Sequence, residues 1–332
     1  QFGGTSGVSG GGVWVPNNRY ARAAGARDSI EEAKSYLMST IPEGDVPEEM
    51  IDAYLENSPK MVDFLHDRTQ VRYMTLEHYP DYYTDKPGGK HGHRSMEPEP
   101  INASELGDDF EKLTLSHHMM RLFGYIHFTQ VEAQVLTART QGWFGITFRM
   151  IMKWLLDIPW MLRTRIARRL CTGAAGVARL RLSMKDRDMP LWLNSPMKEL
   201  LTDDSGRVIG AVVEKDGVAL RIHARKGVVL ASGGFEHNQS LREKYLPKPT
   251  NAEWSAGVRT NTGDGLLQGL ELGAATRLID GAWWCTTLVT PGEPAPRLSI
   301  MEKSLPGSVI VNKKGKRFAN ESQNYMAFQK EL

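Results

Sequence analysis

Cysteine is almost missing from this chain of 332 residues, which carries only Cys171 and Cys285. The two stand far apart, without a second member of a metal or redox pair. Neither a disulfide framework nor a cysteine metal site is expected, and this usage suits a reducing cytoplasm. Long apolar runs are missing as well. The longest, residues 146–162, is interrupted by Arg149, Lys153, Asp157 and Pro159, which excludes a membrane span there. Neither sign of charge dominates: 41 basic against 39 acidic residues leave a net +2. Such a balance argues for neither nucleic acid nor an acidic partner. His91 and His93 flank Gly92, and His117-His118 are adjacent, with no third ligand at metal spacing, so no metal is assigned. No Ser-His-Asp or Gly-x-Ser-x-Gly arrangement stands out either.

What the chain has in abundance at its start is glycine. Residues 1–12 are crowded with it, and Thr5, Ser6 and Ser9 add hydroxyls before the segment Val13-Trp14-Val15-Pro16. A surface this poor in side chains lets backbone N–H groups approach a ligand closely, and glycine takes positive φ without steric cost. Gly/Ser composition alone also describes a flexible linker. Here, however, the run passes directly into an apolar, proline-stopped segment. Apolar residues make up 41% of the chain, enough for a packed core and two domains of ordinary size.

Residues 29–38 read as a helix, capped by Asp28 or Ser29, with Glu31 and Glu32 in its first turn. Residues 47–65 predict a helix pair, residues 71–76 a short strand, and residues 79–102 an irregular loop rich in Pro, Gly, His and Tyr. Residues 105–182 are predicted to be mostly helical. The arginines between 163 and 187 read as a solvated helix face, because no aromatics interleave with them. Trp143, Phe144, Phe148, Met152, Leu155, Leu156 and Trp160 are expected in the core or under a neighbouring domain, with peripheral membrane contact as the alternative.

From residue 189 the pattern changes to strands, over 190–194, 208–214 and, across an Asp216-Gly217 turn, 219–223. Gly227-Val228-Val229-Leu230-Ala231 predicts a buried parallel strand, and it ends in Ser232-Gly233-Gly234-Phe235. The C-terminal end of such a strand is where α/β sheets place ligands. Asn261-Thr262-Gly263-Asp264-Gly265 precedes a helix over 266–272, with Asp264 or Thr262 as its cap and its N-terminus as an anion site. Residues 309–312, the turn Lys313-Lys314-Gly315 and the return Lys316-Arg317-Phe318 predict a hairpin leading into Ala319-Asn320-Glu321-Ser322-Gln323-Asn324-Tyr325.

Phe2-Gly3-Gly4-Thr5-Ser6, continued by Ser9-Gly10-Gly11-Gly12-Val13-Trp14-Val15-Pro16, resembles the flavin-facing loop of the FAD-dependent 3-ketosteroid dehydrogenases. These belong to the fumarate reductase/succinate dehydrogenase flavoprotein superfamily. The later strand, hairpin, strand and glycine turn follow that superfamily's order, and His78-Tyr79-Pro80-Asp81-Tyr82-Tyr83 resembles the steroid dehydrogenases' Phe-Pro-Asp-Tyr-Tyr loop. The resemblance implies an α/β fold. A Rossmann-like FAD-binding domain would cover residues 1–285, with a helical insertion over roughly 105–185, and an α+β substrate-capping domain would begin over 286–332. It implies FAD as cofactor, contacted by Gly3, Gly4, Thr5, Ser6, Ser9, Gly10, Gly11, Ala231, Ser232, Gly233, Gly234, Gly263 and Asp264.

One position decides the implied chemistry. Fumarate reductases of this superfamily carry Asn-Glu-x-x-x-Arg, and that arginine delivers a proton to a dicarboxylate's double bond. This chain has Tyr325 there, as the steroid-oxidising members do. A guanidinium forks a carboxylate; a phenol does not. The resemblance therefore implies desaturation of a 3-ketosteroid in ring A. Tyr325 would take the proton beside the carbonyl, Tyr82 would hydrogen-bond its phenolate, and the flavin would accept a hydride. The implied partners are a steroid-like substrate and an electron acceptor such as a quinone, in the cytoplasm or peripheral to the membrane.

The resemblance reaches only the middle of the family's length. The N-terminal βαβ unit and the C-terminal segment with a further tyrosine lie outside this sequence. The fold is accordingly expected to be incomplete and the fragment to hold FAD poorly. The alternatives are reduction of an unsaturated acid such as fumarate, and a non-catalytic flavoprotein remnant.

Overall fold

The computed structural model describes residues 1–329 and residue 331. They divide into two packing units, Gln1–Asp188 with Ser299–Leu332, and Met189–Leu298.

In the first unit Val13–Trp14 pairs antiparallel with Ser95–Pro98, which pairs antiparallel with Tyr73–Thr75. Ser95–Pro98 lies inside the stretch that composition predicts to be irregular. Its Met96 is fully buried beside Val15 and Val62, and that apolar contact gives the strand its reason to form. The helix Ile30–Thr40 begins as predicted, with the Ser29 side chain accepting the Glu32 N–H. Residues 47–65 are not a helix pair. Glu48–Arg68 is one helix with Pro59 inside it. Ile51, Leu55, Ser58 and Val62 form a single buried stripe, and its packing outweighs the one hydrogen bond that proline forgoes.

A second core joins Ile101, Leu106, Phe110, Leu113 and Leu170 to the helix Thr172–Lys185. Ala174, Ala175 and Ala178 on that helix are fully buried, so small side chains set how closely it packs. Residues 105–182 are less helical than predicted: 3-10 turns and the short strands Arg121–Leu122, Ile126–His127 and Arg169–Leu170 interrupt the helices. The arginines are not all solvated. Arg179 donates to the carbonyls of Gln70, Glu99 and Pro100, and Arg181 to Asp109, so both act as cross-links. The aromatic cluster also departs from expectation. Trp160 is buried, but Phe144, Phe148, Leu155 and Leu156, on and just after the helix Trp143–Leu155, are exposed. No helix among the described residues is long and apolar enough to cross a membrane.

The second unit is built on Met197–Thr202, Val208–Lys215 and Val218–His223, an antiparallel sheet with Val208–Lys215 in the middle. The hairpin appears as predicted. Residues 190–194 form no strand; the sheet begins at Met197 instead. Residues 227–231 likewise form no strand, and Val229 is 89% exposed. No neighbouring strand among the described residues offers their N–H and C=O groups a ladder, and every named strand pair there is antiparallel. The helix Asp264–Glu271 starts two residues earlier than predicted. Residues 309–312, in the first unit, keep only an isolated bridge, Val311 to Arg317.

Glu97 of Ser95–Pro98 is fully buried, with Oε2 accepting the Gln130 N–H at 2.9 Å and Oε1 without a partner. Burial pushes its carboxyl up to about 7, against the pull of the Gln130 and Val131 N–H groups. A carboxyl raised on folding keeps its full contribution while protonated and loses it as pH rises through the folded value. Glu97→Gln is always neutral. Its melting temperature relative to the unaltered chain should therefore rise between about pH 5 and about pH 8 in calorimetry. A flat or falling difference would contradict the assignment.

Candidate active site

Two phenols meet in the first unit. Tyr82 Oη and Tyr325 Oη are hydrogen-bonded to one another, with ring centroids 5.3 Å apart and planes at 73°. They lie 243 residues apart in sequence, so the contact is a product of the fold. Tyr79 stands within electrostatic reach of Tyr325. Burial first, and then the Tyr325 phenol, pushes the Tyr79 hydroxyl up to about 12, which keeps it neutral. Tyr83 engages a different partner. Its backbone N–H donates to Tyr36 Oη at 3.3 Å, which fastens the loop to the helix Ile30–Thr40.

Tyr82 is positioned by its neighbour. Asp81 Oδ1 accepts the Trp14 indole N–H at 2.7 Å, and Oδ2 accepts from Arg94 Nη1 at 2.8 Å and the Lys90 N–H at 2.9 Å. The Arg94 side chain is 1% exposed. It reaches Asp28 with two further donors, Nε at 3.0 Å and Nη2 at 2.7 Å, and the Gly88 carbonyl with Nη1. Its guanidinium carbon lies 5.6 Å from the Trp14 ring and 5.8 Å from the Tyr36 ring. Burial works against the charge, but hydrogen bonds and attraction from Asp28 and Asp81 prevail and raise the Arg94 pKa.

Tyr325 opens the short helix Tyr325–Gln329 and is itself buried. Asn324 holds both partners: its Oδ1 accepts the Ala327 N–H, and its Nδ2 donates to the Tyr82 carbonyl at 3.2 Å. Upstream, Glu321 accepts from Arg317 and from the Ile310 N–H, which holds its carboxyl down at about 2. Buried Lys303 donates to the carbonyls of Glu321 and Gln323. The Asn-Glu series thus works as a brace for residue 325.

The glycine-rich start is folded more tightly than a loop. Gly4–Val8 is a short helix, after which Ser9 Oγ donates to the Ser6 carbonyl and accepts the Gly11 N–H at 3.0 Å. Gly11 has φ +68°, and a Cβ there would stand 2.7 Å from the Gly173 nitrogen, so only glycine fits. Ser6, Ser9 and Gly12 face solvent, while Gln130 Nε2 holds the Gly10 carbonyl.

Within the second unit two glycine turns touch. The Gly263 N–H donates to the Gly234 carbonyl, and the Gly265 N–H to Ser232 Oγ at 3.2 Å. The cap of Asp264–Glu271 is therefore Gly263, at φ +84°, and neither Asp264 nor Thr262; the Thr262 hydroxyl donates to Asp264 instead. A cavity of about 330 Å³ beside these turns is lined by Gly233, Gly234, Phe235, Leu266, Arg277 and Ile279. The cavity thus brings the glycine turn, Leu266 of the helix's first turns and the Arg277 guanidinium to one surface, and a cation there suits an anionic ligand.

Sequence reasoning found Tyr82 and Tyr325 and missed the ion pairs beneath them. Asp81 lay inside the Pro-Asp-Tyr-Tyr signal. Asp28 read only as an alternative helix cap, and Arg94 and Lys303 carry no local signature, because their partners are remote in sequence.

A family model described as an FAD binding domain matches residues 1–332. The chain is 36% identical to the 3-oxosteroid 1-dehydrogenase of Mycolicibacterium smegmatis, covering 98% of this chain and 57% of that protein. It is 34% identical to the 4-oxocyclohexanecarboxylate 2-dehydrogenase of Sinomonas cyclohexanicum, covering 98% and 54%. Among solved structures it is similar to the 3-ketosteroid Δ1-dehydrogenase from Sterolibacterium denitrificans in complex with 1,4-androstadiene-3,17-dione. That match has a TM-score of 0.93 at 42% identity and covers 99% of this chain and 58% of the other. The chain spans a little over half the length of these relatives. With its whole length matched, the chain belongs to the FAD binding domain family.

Proposed function

We propose that this chain carries the proton-abstracting centre of an FAD-dependent 3-ketosteroid dehydrogenase that desaturates ring A at the 1,2 position. The hydrogen-bonded pair Tyr82–Tyr325 carries the reading. The relatives support it: their names specify dehydrogenation of a ring ketone, a 3-oxosteroid in one and a 4-oxocyclohexanecarboxylate in the other.

A C–H beside a carbonyl is acidified because its electron pair spreads onto the oxygen. Tyr325, as phenolate, takes that proton, and the Tyr82 hydroxyl donates to the same oxygen and stabilises its charge before transfer. Tyr79, kept neutral, adds an uncharged aromatic group within electrostatic reach of Tyr325. FAD, when bound, supplies the acceptor for the hydride that leaves the adjacent carbon. Gly3, Gly4, Thr5, Ser6, Ser9, Gly10 and Gly11 contribute to holding it, as do Ala231, Ser232, Gly233, Gly234, Gly263 and Asp264. In this reading residues 1–285 serve the cofactor as a Rossmann-like domain with residues 105–185 inserted, and residues 286–332 begin the α+β cap. That division is one of role and not of packing unit. A quinone or similar carrier removes the electrons.

The protein is cytoplasmic and meets the membrane peripherally in this account. Phe144, Phe148, Leu155, Leu156, Ile158 and Leu162 are exposed, the last at 86%. Arg139, Arg149, Lys153, Arg163 and Arg165, interspersed with them in sequence, are exposed too, and Arg163 also pairs with Glu111. Exposed apolar side chains interspersed with cations fit an anionic bilayer surface, from which a lipophilic substrate can be drawn.

Three outcomes are expected. In the complete protein Tyr325→Phe should lower dye-coupled steroid oxidation by about 10²–10⁴-fold with the flavin still bound. Tyr82→Phe should lower it by about 10–100-fold, the loss of one hydrogen bond to a charged group. Unchanged turnover in Tyr325→Phe discards the assignment. On vesicles, sedimentation should be stronger with phosphatidylserine than with phosphatidylcholine alone, and Phe144→Asp with Leu156→Asp should abolish it. Equal retention in the supernatant with both lipids argues against membrane contact.

A further inference from the structure

Asp81 and Tyr82 are joined by a single peptide bond, and this makes the buried ion pairs more than scaffolding. A carboxylate displaced by its partners carries the phenol next to it. Four groups converge on Asp81: the Trp14 indole N–H, Arg94 Nη1, the Lys90 N–H and, toward its own backbone N–H, the Lys90 carbonyl. Its side chain is 2% exposed, so no water competes for these contacts. Trp14 follows the glycine-rich segment by two residues, and its strand pairs with the one that Arg94 precedes. Asp28, the other partner of Arg94, accepts the Asn17 N–H at 2.9 Å, four residues after Gly12-Val13. On its far side Tyr82 is tied once more, by Asn324 to its carbonyl.

We propose that Trp14, Asp81, Arg94 and Asp28 form a positioning assembly that sets the Tyr82 hydroxyl against Tyr325, referenced to the backbone that follows the glycine-rich segment. The proposal rests on the phenol pair being the proton acceptor. None of the four residues touches the reacting atoms. Each acts through Tyr82. Arg94 is suited to the task because its planar fork engages Asp28 with two donors while a third nitrogen spans Asp81 and the Gly88 carbonyl, a geometry that lysine cannot reproduce. Trp14 supplies direction: its one N–H fixes which oxygen of Asp81 faces the strand and which faces Arg94.

The test is a double-mutant cycle in the complete, flavin-loaded protein. Trp14→Phe keeps an aromatic ring beside Arg94 and removes the N–H together with part of the indole's bulk. It should lower kcat by about tenfold, leave KM for the electron acceptor unchanged, and shift the pH profile of kcat. In a Tyr82→Phe background the same substitution should have no further effect, because its route to the chemistry is gone. As a readout apart from turnover, 3-fluorotyrosine at position 82 should show a displaced fluorine resonance in Trp14→Phe and in Asp81→Asn, and none in the surface variant Lys60→Gln. Additive effects of Trp14→Phe and Tyr82→Phe, or an unmoved fluorine resonance, overturn the positioning role. Full activity of Tyr82→Phe by itself overturns the phenol-pair reading and this proposal with it, so the two failures are told apart.

Discussion

A guanidinium sealed between two carboxylates fixes the architecture of the first unit. Taking Arg94 out of water costs several kcal/mol, and only partners of opposite charge in good geometry offset that cost. Asp28 and Asp81 provide them, at 2.7 and 2.8 Å, and two aromatic rings cover what remains. Removing one partner of such a pair characteristically destabilises by about 3–5 kcal/mol, since the other charge is left buried. The elements that meet here are a two-residue strand, the approach to an eleven-residue helix and an irregular loop. Apolar packing joins Trp14 to that helix, and the ion pairs bring the loop into the same object.

That object explains how an irregular loop can hold the Tyr82 phenol in place. The stretch around Tyr82 has no regular secondary structure, yet its backbone and side chains are pinned by Lys90, Tyr36, Trp14 and Asn324. Residue 325 is braced differently, through the Arg317–Glu321 pair and buried Lys303. Two supports, joined through Asn324, therefore bring the two phenols together. A guanidinium at 325 would suit a doubly charged acid; a phenol pair beside the neutral Tyr79 suits an uncharged ring ketone.

Short local patterns were legible at several places and misread at others, as the absent strand over 190–194 and the Gly263 cap show. The Ser29 cap, the hairpin around Asp216-Gly217 and the helix after Gly263 all follow from short patterns that the structure keeps. The two tyrosines were legible through resemblance, not through periodicity. Residues 227–231 show the limit. An apolar, β-branched run states what a strand would bury but not whether a neighbouring strand stands beside it. The helix Trp143–Leu155 fails for a related reason, because apolar composition does not say which side another surface will cover. Arg94 was invisible for a third reason: in sequence it is one arginine in a loop, and its meaning comes from Asp28, 66 residues away.

The central claim is that the phenol pair removes a proton from the carbon beside a ring carbonyl. Deuterium exchange tests this most directly, with the flavin of the complete protein kept reduced so that no hydride can leave. A 3-ketosteroid incubated with that protein in D2O should gain deuterium at the carbon next to the carbonyl, and Tyr325→Phe should suppress the gain. Equal incorporation by both proteins, or none by the unaltered one, would contradict the account.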